Sequence, residues 1–416
     1  MTKKTYSIPI GPVHPSLEEP MTFNFEIYGE RIEKVNLAPG DNHRGIEFMG
    51  RQRNPIQIIY LAERICGICS ASHPFAFCRA VENAAGIEVP ERGQYIRVII
   101  AELERIHSHI LWAGIAGHEL GFDSVLYISW RAREKVLDLL EYLTGNRINY
   151  GVFMIGGVRR DISEDQIPRI RETLEYYKDI YGTIEDIFLK DPTIALRTKN
   201  VGVLTKEDAL RLCAVGPTTR ASGIKKDVRQ DQPYSAYADL EVKAITPDVL
   251  TGEVNGDVYD RIIVRLLEIV QSIQILEQCL ENMPSGEIVA EKKLVKLLNQ
   301  LKKAKGEGIG RHEAPRGEVF HYVKLAEAEV PEIWKARAPT YNNLMTWVPM
   351  LLGQQIADIP IVIASIDPCI ACMDRVTILN KANGQKSILT KKDLHELSVQ
   401  KTRRITPWLL QAYLEY

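Results

Sequence analysis

The sequence lacks most of what would place it at once. It has no long hydrophobic run. The most apolar late stretch, Ile356 to Cys372, is interrupted by Asp358, Pro360, Asp367 and Pro368. It falls short of the roughly 20 apolar residues that a spanning helix needs, and reads as buried core. The first residues, Met1 to Pro15, contain no apolar segment of about 7–15 residues such as a secretory leader carries. Charge of one sign is absent too: 52 basic against 54 acidic side chains leave a formal net charge of −2. That balance offers no electrostatic footprint for nucleic acid or a lipid surface. There is no internal repeat, no low-complexity tract and no linker that divides the chain cleanly.

Cysteine is scarce as well. Seven residues, an odd number in a chain of 416, do not make a disulfide framework. Cys78, Cys213 and Cys279 stand alone and are expected to be buried, inert thiols. The other four form two C-x-x-C pairs, Cys66/Cys69 and Cys369/Cys372, separated by most of the chain.

What is present is helical periodicity. Ile96, Ile99, Ile100, Leu103, Ile106 and Ile110 recur at helical spacing within a predicted helix over Tyr95–Leu120. Similar patterns predict helices over Ala132–Leu143, Ser163–Phe188 and Val258–Leu280. Lys292–Lys305 reads as an exposed amphipathic helix. At the N-terminus, Thr22–Tyr28 alternates apolar and polar residues, Gly29 and Glu30 turn, and Ile32–Leu37 alternates again, which predicts a hairpin. Clusters such as Ile155-Gly156-Gly157, Val215-Gly216-Pro217 and Gly306-Glu307-Gly308-Ile309-Gly310 are read as punctuation between helices. The expected fold is mainly α, a large helical-bundle core with a small N-terminal β element. The expected organisation is a β hairpin element over 1–50, a helical metal-binding body over 51–375 and a C-terminal extension over 376–416.

Each C-x-x-C pair can supply two thiolates from one turn. Thiolates are soft ligands that suit nickel, iron, copper(I) and zinc and serve magnesium or calcium poorly. On spacing alone several readings stay open: a joint metal site, a structural Cys₄ zinc site, a redox dithiol, or two unrelated buried pairs. Zinc pairs normally lie within a few tens of residues of each other, and a redox dithiol expects an adjacent βαβ unit that is not seen here.

The segments around the pairs carry a resemblance. Arg44-Gly45-Ile46-Glu47, then Glu63-Arg64-Ile65-Cys66-Gly67-Ile68-Cys69, and finally Asp367-Pro368-Cys369-Ile370-Ala371-Cys372, are similar to the two signatures of nickel–iron hydrogenase large subunits. Ile366 and Arg375 depart from the commonest pattern, at positions where many members have an aromatic residue and His. These departures resemble the membrane-bound, energy-converting branch, which is related to the quinone-site subunit of respiratory complex I. Gly11-Pro12-Val13-His14-Pro15, His43 to Glu47, Ile155 to Asp161, Gly216 to Gly223 and Glu313 to Gly317 also look like family segments, in order along nearly the whole chain. The complex I relative normally lacks the four cysteines.

That resemblance implies a nickel–iron centre whose iron carries carbon monoxide and cyanide. Cys66 and Cys369 would be terminal nickel ligands, and Cys69 and Cys372 would bridge to iron. His73 would donate to a bridging sulfur, Arg316 would face the metal pocket, and Glu19 would pass protons, with neighbouring Glu18 exposed and idle. Arg64 and Arg375 could supply positive charge beside the pairs. Glu47 matches a glutamate that binds a third metal in other branches, and His107 and His109 are expected to be structural. The implied reaction is the reversible reduction of protons to H₂. Electrons would come from a small partner subunit with a 4Fe–4S cluster, fed by ferredoxin, within an assembly of complex I-like peripheral subunits and integral membrane ion-translocating subunits. The chain would sit peripherally at the cytoplasmic face of the membrane. The alternatives are a homologous ferredoxin-linked sulfane or polysulfide reductase subunit and a non-catalytic complex I-like assembly subunit. The tail from Val376 to Tyr416 would be either a maturation peptide, removed after Arg375, or a constitutive element built on a capped helix near Leu389–Leu397 and an apolar patch of Trp408, Leu409, Leu410 and Tyr413.

Overall fold

The computed structural model describes residues 4–373, 393 and 395–404. The chain divides into two units, Met1–Asp374 and Arg375–Tyr416. In the second, the described residues 395–404 are helical. Arg375 and the apolar patch of the tail lie outside the described residues.

The first unit begins with a three-stranded antiparallel sheet, Tyr6–Ile10, Thr22–Tyr28 and Arg31–Ala38, in that order. The predicted hairpin is its second and third strands. Alternation decides which face is buried: Phe23, Phe25 and Ile27 point inward, and Phe23 meets the edge of Trp347 at 5.1 Å between ring centroids. Gly29 makes the tight turn with a left-handed φ of 59°.

The helix predicted over Tyr95–Leu120 spans Glu91–Glu119 and is buried almost around its circumference. Such a helix is the axis of a core, and its polar side chains must find partners inside the protein. Arg105 pairs with Glu102 at 3.2 Å, and His109 with Glu268 at 2.9 Å. Around this axis pack Asp123–Thr144, which ends at a left-handed Gly145, and Val258–Asn282, capped by the Asp257 carboxylate. Ile167–Lys190 packs on both of these outer helices. None of the described helices is long and apolar enough to cross a membrane.

The helical body also contains a second three-stranded antiparallel sheet: Lys305–Ala314, Gly317–Ala326 and Ile333–Arg337. Gly306, Gly308 and Gly310, read from sequence as punctuation, lie inside its first strand. Alternation puts all three on one face. A Cβ on any of them would run into the backbone of Ala84, Ala80 or Ala76, respectively, in the helix Ser72–Ala85. Two strand residues advance about 6.6 Å and four helical residues about 6 Å, so glycines two apart meet alanines four apart. The glycines therefore form a flat bed for a helix. Asn83 Nδ2 donates to the Ile309 carbonyl at 2.7 Å along this seam.

Candidate metal centre

The first cysteine pair lies in the loop between two helices. Pro55–Glu63 starts at a capping box formed by Asn54 and Gln57. The loop then runs through Cys66 and Cys69 into Ser72–Ala85. The buried Glu104 carboxylate, from the central helix, holds its far end: it accepts from the Ala71 amide, from the Ser72 amide at 3.1 Å and from the Ser72 hydroxyl at 2.5 Å. The second pair follows the short buried helix Ile359–Ala364, whose isoleucines and valine belong to the same cluster as the N-terminal sheet. Cys369 is fixed by its amide, which donates to Thr340 Oγ1 at 3.1 Å.

Folding brings the four sulfurs together. Cys369 Sγ lies 3.0 Å from Cys66 Sγ and 2.9 Å from Cys372 Sγ, and Cys69 Sγ lies 3.5 Å from Cys372 Sγ. All four side chains are buried, none is in a disulfide, and the ligand atoms lie within 4.8 Å of one another. Sulfurs arranged tetrahedrally about 2.3 Å from a metal are roughly 3.8 Å apart, and four sulfurs all within 4.8 Å of one another are close enough to close on a single metal centre. Its four soft donors fit nickel and iron. Hydrogen bonds from Cys369, Cys372 and Cys69 draw the Cys66 thiol well below its ordinary range, whereas burial pushes the Cys372 thiol well above.

Around the sulfurs, the residues named from sequence fall into distinct places. Glu19 Oε2 accepts from the Ala371 amide at 2.6 Å, between the cysteines of the second pair, and burial raises its carboxyl. Glu19 also lines a cleft with Glu18, Glu119, Pro368 and Ile370. Arg316 is buried. Its Nη2 donates to Asp367 Oδ1 at 2.6 Å, its Nε to the Asp367 carbonyl at 2.8 Å and its Nη1 to Ser108 Oγ at 3.2 Å. Burial alone would lower this guanidinium, but Asp367 and the sulfurs of Cys369, Cys66 and Cys69 outweigh that and hold it charged. His73 Nε2 lies 3.4 Å from Cys372 Sγ, and burial takes its imidazole down to about 4.

Other residues are drawn elsewhere. Arg64 turns away to Glu63 at 3.1 Å and to the Tyr60 carbonyl at 3.0 Å, with about half of its side chain exposed. Glu47 accepts from Lys335 Nζ at 2.5 Å and from the Ala336 amide at 3.0 Å. His107 contacts Tyr150 Oη at 3.2 Å, and His109 is committed to Glu268. Cys78 and Cys279 are buried as expected. Cys213 is exposed instead. It follows the helix Lys206–Arg211 in a turn, with a left-handed φ of 54°, which lies outside the apolar packing assumed for a lone thiol.

Three contributors were not singled out from sequence. Arg44 donates to the carbonyls of Arg64 at 3.2 Å, Ile65 at 2.5 Å and Ala371 at 2.7 Å, and so ties both cysteine loops together. Asp367 orients Arg316, and its Oδ2 is buried without a hydrogen-bond partner. Glu104 caps the first loop. Arg44 and Asp367 lay inside the signature segments, but their roles depend on which backbone atoms lie opposite. Only the three-dimensional arrangement supplies those.

A mainly helical body with four converging thiols at its centre defines a large subunit of the hydrogenase type. Sequence comparison agrees. The family described as nickel-dependent hydrogenase matches residues 44–113, and the family described as respiratory-chain NADH dehydrogenase, 49 Kd subunit, matches residues 119–302 and 295–375. The membrane-bound hydrogenase subunit alpha of Pyrococcus furiosus is 51% identical over 403 residues, covering 96% of this chain and 94% of that protein. An NADH-quinone oxidoreductase subunit from a strain of Dehalococcoides mccartyi is 36% identical, covering 89% of this chain and 99% of that protein. A chain from the solved structure of the membrane-bound sulfane sulfur reductase, an archaeal respiratory membrane complex, superposes with a TM-score of 0.83 at 30% identity, covering 90% of this chain and all of that one. The chain belongs to the family of membrane-bound hydrogenase large subunits and complex I 49 kDa subunits.

Proposed function

We propose that this chain is the catalytic subunit of a membrane-bound nickel–iron hydrogenase that reversibly reduces protons to H₂. The observation that carries the reading is the convergence of Cys66, Cys69, Cys369 and Cys372 in a buried cluster of coordination size. In this reading Cys66, Cys69, Cys369 and Cys372 would hold a nickel–iron centre, Cys66 and Cys369 as ligands to nickel alone and Cys69 and Cys372 as ligands shared with an iron that would carry carbon monoxide and cyanide. When bound, the metal pair supplies the redox chemistry of hydrogen.

The protein's own residues do the rest. Arg316, kept charged and fixed by Asp367, offsets the negative charge of the thiolates and presents a rigid cationic wall to the pocket. Glu19 holds or releases a proton at its carboxylate. Its bond to the Ala371 amide keeps it within one loop of the ligands, and the cleft it shares with Glu18 and Glu119 leads protons away. Burial of the ligands among core side chains excludes bulk water from the centre. Electrons come from a partner subunit bearing a 4Fe–4S cluster, with ferredoxin as donor, and the complex is docked on ion-translocating membrane subunits at the cytoplasmic face. In the same reading the body ends at residue 375, and the 376–416 extension is either removed after metal insertion or retained.

A second reading, a sulfane sulfur reductase subunit, is favoured by the likeness to the solved reductase chain. Quantifying nickel in the intact purified complex, with assays for H₂ and for sulfide, tests the choice. Stoichiometric nickel with H₂ evolution is expected. Sulfide production without nickel would overturn the proposal.

A further inference from the structure

Behind His73 the structure contains two buried rings that neither the signatures nor the ligand set accounts for. His321 lies on the strand Gly317–Ala326 and Trp334 on the strand Ile333–Arg337. Trp334 pairs in register with Val323, so it is diagonal to His321 across the sheet. Trp334 Nε1 donates to His321 Nδ1 at 3.1 Å. His321 Nε2 lies 3.1 Å from His73 Nδ1, and His73 Nε2 lies 3.4 Å from Cys372 Sγ. His73, His321 and Trp334 are all fully buried.

Indole N–H can only donate. It therefore requires a bare, accepting Nδ1 on His321. A neutral imidazole carries one N–H, so the proton of His321 must be on Nε2, pointing at His73. His73 Nδ1 must in turn be the acceptor, which leaves its own proton on Nε2, directed at the Cys372 sulfur. Each link follows from the one before, and the chain starts from a group that can only donate. Without it, His73 could take the other tautomer and turn a lone pair toward an electron-rich sulfur.

The seat of Trp334 is built to hold it. A Cβ on Gly50 would collide with the indole, so only glycine there lets the ring in. Phe77 meets the indole edge-on at 5.5 Å between centroids. Phe77 shares its helix with His73, so the anchor and the residue it controls are held by the same element.

We propose that Trp334, acting through His321, is a positioning residue that fixes the tautomer of His73 and thereby keeps an N–H donor on the Cys372 ligand. The consequence for turnover rests on the hydrogenase reading above, but the tautomer itself does not. Partners that orient a ligand-contacting histidine typically change metal affinity or activity about 10–100-fold when lost.

The test uses the intact complex with ¹⁵N-labelled histidine, read by solid-state NMR, the His73 signals being assigned by their loss in His73→Gln. In the wild type His73 should show a protonated Nε2 and a bare Nδ1. Trp334→Phe removes the donor while keeping an aromatic ring, and should give His73 as a mixture of tautomers. His321→Gln, whose amide can still donate to His73, should keep the wild-type tautomer, whereas His321→Phe should lose it. This pair decides the matter if Trp334→Phe does not assemble. In nickel-loaded complexes, Trp334→Phe should also move the carbon monoxide and cyanide stretching bands to lower wavenumber and slow turnover about 10–100-fold. A proton on Nδ1 of wild-type His73, or a single unchanged tautomer in both Trp334→Phe and His321→Phe, would overturn the inference. A wild-type complex without nickel would overturn the hydrogenase reading instead, and the NMR comparison would still judge Trp334.

Discussion

Arg44 donates to the carbonyl of Ala371 at 2.7 Å, across 327 residues of sequence. The same guanidinium bonds the carbonyls of Arg64 and Ile65, just before the first cysteine. One side chain thus clamps the two loops that carry all four sulfurs, and a planar five-donor fork is suited to bridging several carbonyls at once.

Arg44→Ala should therefore loosen the site without unfolding the body. Nickel retained through purification should drop, within the roughly 10–100-fold range seen for outer partners of metal ligands. Arg44→Lys should recover only part of it, since one ammonium cannot reproduce the fork. Metal content after dialysis against a chelator measures both. Equal nickel in wild type and Arg44→Ala would show that the loops hold themselves.

Replacing any one of Cys66, Cys69, Cys369 or Cys372 by Ser should abolish H₂ evolution while leaving the subunit soluble. A hydroxyl is a harder, weaker donor than a thiolate for nickel. Full activity in one of these variants would remove that cysteine from the site.

Glu19→Gln keeps the shape of the side chain but cannot carry a proton. Turnover should fall by about 10²–10⁴-fold, the usual scale of a general acid–base contribution, with nickel content unchanged. Unaltered H₂ evolution would place the proton path elsewhere.

Gly308→Val tests the glycine bed. Its side chain would collide with the backbone at Ala80 and Ala84, lifting the helix that carries His73. Overpacking of this kind costs about 1–3 kcal/mol. A lower denaturant midpoint should be matched by partial loss of nickel. Replacing Glu307, which lies on the opposite face of the strand, should leave both measurements near wild type.

Local sequence determined the long helices, the N-terminal hairpin and which four thiols could converge. Periodicity is a local property, and so are the residue types within a motif. The helix read as Tyr95–Leu120 and found as Glu91–Glu119 shows how closely a continuous apolar stripe marks an element. Other features depended on partners distant in sequence. Gly306, Gly308 and Gly310 look like a breaker until a helix lies on them, because glycine's lack of a side chain serves a turn and a close contact equally well. Arg64 and Arg44 are both arginines beside signature residues. Only the packing of the loops decided that Arg64 faces Glu63 while Arg44 holds the centre together. The His73–His321–Trp334 chain joins a helix terminus to two strands, and its direction depends on which ring nitrogens face each other. Hydrogen-bond direction is set by the relative placement of whole elements, which only the tertiary structure decides.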